Sequence, residues 1–289
     1  MCVGGQSPPR VSRWYFSLMQ PVTLKAQVQE FWNRSSCGEV YAEGDGLPQQ
    51  LERQALARYE LEPDLRAFAK FPEGRNKDVL EIGVGMGADH LEWVKSGPKS
   101  LTGIDLTDRA VEFTRARLAF YGFVPQVQVG DAEALPFADN SFDLVFSYGV
   151  LHHTPDTAQA IREIHRVLRP GGTCRVMIYH KHCMVGYMLW TRYGLLALRP
   201  FRSLNDIYAH HLESPGTKAF TVREARQMFS DFSSVAVDIK LALGDLLQGA
   251  VGQRHRGGLL TVAKSLWPRW FIKKFLRNHG MAMMIEAAK

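Results

Sequence analysis

Hydrophobic positions change their period along this chain. Up to Lys70 they recur at helical spacing, with Val28, Phe31 and Trp32 inside a helix predicted over 24–33, followed by helices over 49–59 and 63–70. The loop at 35–48 between the first two holds Cys37, Gly38, Tyr41, Gly44 and Gly46. From Lys77 the pattern becomes short apolar runs, at 79–82, 101–104, 127–129, 144–146 and 174–179, alternating with amphipathic stretches. The stretch 88–96 stops at Gly97-Pro98, and Thr107 is placed to cap a helix that reaches Tyr121 and closes at Gly122. Thr154-Pro155-Asp156 puts a cap and a first-turn proline before a helix carrying Ile161, Ile164, Val167 and Leu168. Strands and helices alternating at this spacing predict an α/β fold, a parallel sheet with helices on both faces.

After Tyr179 an apolar helical stretch over 183–198 and a mixed segment to Phe220 interrupt the alternation. Thr221 and Glu224 then form a capping box before a helix with Met228 and Phe229, and strands are predicted at 235–241 and 281–287. Composition narrows the class. A chain of 289 residues with 46% hydrophobic and 22% charged residues can bury a proper core, which excludes a disordered tail and a fibrous repeat. The longest apolar stretch, 183–198, is shorter than the roughly 18 residues of a membrane span and contains Arg192. Residues 1–20 mix Arg10, Arg13 and two prolines with aromatics, so no secretory signal is expected there. The cysteines (Cys2, Cys37, Cys174, Cys183) make no CxxC pair, and a reduced, cytoplasmic protein is expected. The net charge of +6 is uneven: between Asp245 and Glu286 there are no acidic residues and seven basic ones, which leaves the rest of the chain at −1. Those seven are Arg254, Arg256, Lys264, Arg269, Lys273, Lys274 and Arg277.

The segment richest in chemistry is Val79-Leu80-Glu81-Ile82-Gly83-Val84-Gly85-Met86-Gly87, a buried strand running into glycines at alternate positions. Glycine is needed where backbone turns sharply and must approach a ligand with no Cβ in the way. Alone, such a turn is also compatible with a dinucleotide site or with no ligand at all. Asp105 closes the second strand, where a carboxylate can accept both hydroxyls of a ribose. Gly130-Asp131-Ala132-Glu133-Ala134-Leu135-Pro136-Phe137 follows the third strand, and Ser141-Phe142-Asp143 leads into the fourth. An NAD enzyme explains the first two features and not the third, and the glycine spacing is GxGxG rather than GxGxxG.

With these pieces joined by Gly103-Ile104-Asp105, Leu151-His152-His153 and Arg166-Val167-Leu168-Arg169-Pro170-Gly171-Gly172, the chain resembles the class I S-adenosylmethionine-dependent methyltransferases, especially the group acting on small and lipophilic molecules. The resemblance covers residues 79–179. It implies a Rossmann-like methyltransferase fold, a doubly wound, seven-stranded, mostly parallel sheet whose last strand is antiparallel. It divides the chain into an N-terminal helical cap, 1–75, and a cofactor-binding domain, 76–289, with a lid insertion at about 181–220 and a basic insertion at about 246–280. It implies S-adenosylmethionine as cofactor and S-adenosylhomocysteine as product. Gly83, Gly85 and Gly87 would cradle the methionine part, braced by Glu81. Asp105 would hold the ribose, with Leu106 against adenine; Asp131 and Ala132 would read the adenine edge, and the Ser147 carbonyl would face the amino group.

The resemblance says less about the acceptor. Tyr148, His152 and His153 follow the fourth strand and are the candidate catalytic groups; related O-methyltransferases use a His pair here as base, whereas in many members it only starts a helix. Some pair it with a carboxylate at the end of the fifth strand, where this chain has Tyr179-His180-Lys181-His182 and none. Neither His180 with His182 nor His210 with His211 has a carboxylate or thiolate at ligand spacing, so no metal is predicted. Phe31, Trp32 and Tyr41 of the cap, with Tyr179, Tyr208 and the lid's Tyr187, Trp190 and Tyr193, are expected to enclose an apolar acceptor pocket, though aromatics at helical spacing also make cores. The basic segment at 254–277 is expected either to dock on the domain with solvated charges or to meet a membrane surface or a carrier-bound substrate. Base-modifying members carry an Asn/Asp-Pro-Pro-aromatic motif where this chain reads Ser147-Tyr148-Gly149-Val150, so nucleic acid is not expected as acceptor. The function expected is methylation of a small, partly apolar acceptor, O-methylation ahead of N or C, with a cofactor-binding partner subunit lacking catalysis as the alternative.

Overall fold

In the computed structural model, which describes residues 23–248 and 267–289, seven strands join in one sheet. They are β1 (Asp78–Ile82), β2 (Ser100–Asp105), β3 (Val127–Val129), β4 (Phe142–Tyr148), β5 (Leu168–Tyr179), β6 (Ser234–Lys240) and β7 (Ala282–Ala288). Their order is β3-β2-β1-β4-β5-β7-β6. Neighbours among β1 to β5 are parallel, and β7 runs antiparallel between β5 and β6. The predicted fold class therefore holds, including the antiparallel last strand. The order runs outward from β1 to β3 and then returns past β1 to β4, which opens a crevice at the carboxyl ends of β1 and β4.

Every residue of β1 is buried because helices cover both faces, so apolar side chains point to both sides instead of alternating with solvent-facing ones, and Asp78 and Glu81 are buried with them. On one face Leu80, Ile82 and Val145 pack with Ile161 and Ile164 of α6 (Thr157–Val167) and with Ala225 of α9 (Val222–Met228). On the other, Val79, Leu144 and Phe146 pack with Trp93 of α4 (Ala88–Lys95) and Leu65 of α3 (Leu65–Ala69). The remaining helices are α1 (Leu24–Arg34), α2 (Leu47–Leu61), α5 (Asp108–Phe120), α7 (Met184–Trp190), α8 (Leu204–His211) and α10 (Arg269–Phe275).

Helix starts follow local chemistry. Thr107 accepts the Ala110 amide at the head of α5, and the Thr221–Glu224 box at the head of α9 is reciprocal. One start differs from expectation: Asp156, not Thr154, caps α6 by accepting the Gln159 amide. A 3-10 turn at Leu151–His153 intervenes, and Thr154 instead donates its hydroxyl to the Leu151 carbonyl. The single helix predicted over 183–198 is α7 followed by a π-helical turn, Thr191–Leu195. Residues 1–20 and, in the basic segment, Arg254, Arg256 and Lys264 lie outside the described residues.

Asp245 joins three distant segments. Its buried carboxyl accepts amides from Val185 at the head of α7 (3.3 Å), Ala242 after β6 (2.9 Å) and Met281 before β7 (2.7 Å). Burial pushes its pKa up to about 6, against the pull of these donors.

Candidate functional site

The chain leaves β1 through Gly83 and Gly85, both in the left-handed region (φ +82° and +51°). A Cβ on Gly83 would lie 2.1 Å from Val150 Cγ2, so only glycine fits, whereas a Cβ on Gly85 would meet nothing within 4 Å. Gly85 thus presents bare backbone to open space, as a cradle for a ligand must. The loop is fixed from three sides. Its Gly85 amide donates to Asp105 Oδ2 (3.1 Å), Thr114 Oγ1 donates to the Gly85 carbonyl (3.1 Å), and the buried Arg117 donates Nε–H to the Met86 carbonyl (2.7 Å). Glu81 takes no part in this bracing: its buried carboxyl meets His90 Nδ1 at 2.7 Å. Burial pushes Glu81 well up and His90 down to about 3, which favours the uncharged form of each and makes the contact a hydrogen bond rather than an ion pair.

Asp105 stands at the tip of β2, where Oδ1 accepts the Thr107 amide (3.0 Å) and hydroxyl (2.8 Å). Burial raises its pKa, and these donors with the Gly85 amide pull the other way. Asp105, Leu106, Asp131 and Ala132 all line the cavity above the glycine loop. Asp131 is engaged: Oδ1 accepts the Glu133 amide, and Oδ2 pairs with Lys25 of α1 at 2.5 Å. Nearby, Gln29 of α1 donates to the Leu106 carbonyl (2.9 Å), so this helix lies across the Asp131 end of the cavity. Gly87 and Ser147 are not in the lining. Gly87 packs against Thr114, and Ser147 is fully buried with its hydroxyl donated to the Ile82 carbonyl (3.1 Å); the wall here is Tyr148, the last residue of β4, with Gly149 and Val150.

Toward the other end the cavity is lined by Trp32, Tyr41, Tyr148 and Tyr179. Tyr148 donates its hydroxyl to Glu62 (2.9 Å), and the Arg58 guanidinium sits 5.0 Å from its ring centroid. Burial raises the pKa of Tyr148, so it remains a protonated donor there. Tyr208 is a correction. It does not line the cavity, and neither do Tyr187, Trp190, Tyr193 and Phe31, which instead packs edge-on against Trp32. Tyr208 is buried with Leu189, Ile207 and Ala219 in a small core inside the insertion, and its hydroxyl donates to the Lys181 carbonyl (2.5 Å). Trp190 of α7 and Tyr193 just after it pack against the same core.

The histidine pair separates. His152 is fully buried outside the lining, stacked on Tyr179 with centroids 3.7 Å apart, and neither ring nitrogen has a hydrogen-bond partner among the described residues. Burial, with His153 and Lys218 nearby, holds it well below its usual pKa and therefore neutral. A group so placed cannot reach an acceptor. His153 does line the cavity, edge-on to Trp32 at 5.2 Å. Its Nδ1 meets Ser214 Oγ at 2.8 Å and Thr217 Oγ1 at 3.2 Å, and its Nε2 faces Glu213 Oε2 at 3.4 Å. Glu213 also accepts the Tyr179 hydroxyl (2.8 Å). The carboxylate missing after β5 is thus supplied by the end of the insertion. Only the Pro215-Gly216 turn between Ser214 and Thr217 hinted at a shaped loop, and nothing in the spacing ties it to His153. Ligand atoms of His152, His153 and Glu213 lie within 4.8 Å of one another, a spacing a metal ion could bridge; Tyr179 and Ser214 already supply hydrogen bonds to Glu213 and His153.

Residues 80–176 match the family model described as "Methyltransferase domain". That stretch is a class I methyltransferase domain. Relatives match the chain in part. An uncharacterized protein of Mycobacterium tuberculosis is 37% identical over 124 residues, 43% of each chain. Ajmaline N-methyltransferase of Rauvolfia serpentina is 27% identical over 52% of this chain and 59% of that enzyme. Other relatives are C- and O-methyltransferases. The alignments thus span well under two thirds of the relatives' length. A solved structure from Bacillus halodurans shares the fold, with TM-score 0.55 at 18% identity over 78% of this chain and 99% of that one. S-adenosylmethionine is the cofactor of this methyltransferase family. The open face at Gly85 and the half-buried Asp105 carboxylate at the β2 tip fit its methionine and ribose parts. Among the described residues, no helix is long and apolar enough to cross a membrane.

Proposed function

We propose that the chain transfers the methyl group of S-adenosylmethionine to a hydroxyl of a small, partly apolar acceptor, with His153 as general base. The observation that carries this reading is the placement of His153 Nε2 in the cofactor cavity beside Glu213, 3.4 Å away. Bound cofactor supplies an electrophilic methyl on a sulfonium. Glycine loop, Asp105 and the residues around Asp131 hold it, and Trp32, Tyr41, Tyr148 and Tyr179 give the acceptor an aromatic wall. Fixing the acceptor in line is worth about 7–11 kcal/mol in good cases.

With His153 Nδ1–H donating to Ser214 Oγ, and Ser214 Oγ–H in turn donating to Thr217 Oγ1 (3.2 Å), Nε2 is left unprotonated beside Glu213 in the cavity wall. There it accepts the acceptor's proton as the oxygen attacks. Glu213, oriented by the Tyr179 hydroxyl, stabilises the imidazolium that forms. Burial and Glu213 raise the Tyr179 pKa, so that donor stays protonated. A positioned base contributes about 10²–10⁴-fold.

The test is calorimetric titration with S-adenosylmethionine and S-adenosylhomocysteine, with NAD in parallel, followed by an acceptor screen read by mass spectrometry. Binding of the first two and a methylated oxygen are expected. Binding of NAD alone, or a product methylated only on nitrogen or carbon, would overturn the reading.

A further inference from the structure

Helix α10 is anchored from one side. Ile272 is fully buried, Arg269 Nε donates to the Leu246 carbonyl (2.9 Å), and Trp267 Nε1 donates to the Asp245 carbonyl (2.9 Å). That anchoring turns three aromatic rings outward: Trp270 is 68% exposed, Phe275 57% and Phe271 47%. The Lys274 ammonium lies 4.9 Å from the Trp270 ring and 5.3 Å from that of Phe275, and Lys273 and Arg277 are close in sequence. A second apolar patch follows α7, where Leu196, Leu198 and Phe201 are 71%, 89% and 100% exposed among Arg192, Arg199 and Arg202. Segments next to the two patches meet: Tyr187 of α7 and the His182 carbonyl both contact His279 Nδ1, in the turn after α10, at 2.8 and 3.2 Å.

Large exposed apolar groups on a folded surface call for a partner, and the charge around them selects its kind. From 246 to 285 there is no acidic residue, and from 191 to 205 there is none either. A second copy meeting this face across a two-fold axis would press like charges together. An anionic lipid surface instead takes up the rings at headgroup depth and pairs with the cations. We propose that α10 and the segment after α7 form a docking face for an anionic membrane surface, which the protein touches without spanning.

The experiment uses the full chain in flotation with vesicles of phosphatidylcholine alone or mixed equally with phosphatidylglycerol. Flotation with the mixed vesicles only, weakening as salt is raised, is expected. Lys273→Glu combined with Lys274→Glu should lower partitioning about tenfold or more. Trp270→Ser combined with Phe271→Ser should lower it in the same range while leaving its salt dependence in place. Cooperative thermal unfolding close to that of the parent shows that each variant is folded. A folded parent that does not float, or variants that float as well as the parent, would overturn the proposal. So would sedimentation showing a dimer that the aromatic variant dissolves, because the face would then belong to a second copy.

Discussion

Asp105 and Glu213 line the same cavity but are put there by different means. Asp105 ends a strand whose register with β3 is fixed, and its carboxylate is held by Thr107, two residues on, and by Gly85, twenty residues back. Glu213 leaves the end of α8 on a loop and is held by Tyr179, 34 positions away, beside a histidine whose other nitrogen meets Ser214. The cofactor side is thus built from sheet geometry and short-range contacts, and the acceptor side from segments that come together only in the finished fold. The first kind of site tolerates change around it, while the second depends on how its cover packs.

Substitutions on the two sides should separate accordingly. The largest effect is expected from His153→Asn, which should lower turnover about 10²–10⁴-fold with cofactor affinity unchanged in calorimetry. Unchanged turnover would remove the base and with it the functional contrast. Asp105→Ala should weaken S-adenosylmethionine binding about a hundredfold, since it removes two hydrogen bonds to a charged group. Affinity near that of the parent would mean that the tip of β2 does not hold the ribose. Glu213→Gln keeps the shape and removes the charge beside the forming imidazolium. A fall in turnover of about tenfold, again without a change in cofactor affinity, should be seen in steady-state kinetics. Tyr208→Phe is the smallest change. It should cost about 1 kcal/mol in denaturant unfolding and leave turnover alone, because its hydroxyl serves the insertion's own core. A shift in acceptor KM would instead put Tyr208 on the cavity wall.

The same division decides what could be read from the chain. Six of the seven strands came within two residues of their observed ends, while β5 begins at Leu168, six residues before its predicted start. The buried central strands are legible because they place apolar residues at successive positions; edge strand β3 is only Val-Gln-Val, with Val127 alone buried. The glycine loop and Asp105 were legible because a positive φ and a strand-end carboxylate leave local marks. Ser147 shows the limit of carrying a position over: it lies within β4, one residue before the strand ends, and its side chain turns back to Ile82. Tyr208 and Tyr41 look alike as aromatics in covering segments, yet one fills a core and the other faces the cavity. Only packing distinguishes them. Glu213 had no signature at all, because a carboxylate in a loop gains meaning from what the fold sets against it.

The Asp245 carboxyl, which accepts amides from the head of α7, the exit of β6 and the approach to β7, bears on how such proteins can be recombined. An insertion pinned in this way is not a removable cassette. A graft that moved only residues 181–220 into another scaffold would leave the Val185 amide without its acceptor. The exchangeable unit runs from the head of α7 through Asp245 to Met281, so new acceptor preferences would be transplanted together with the end of the sheet.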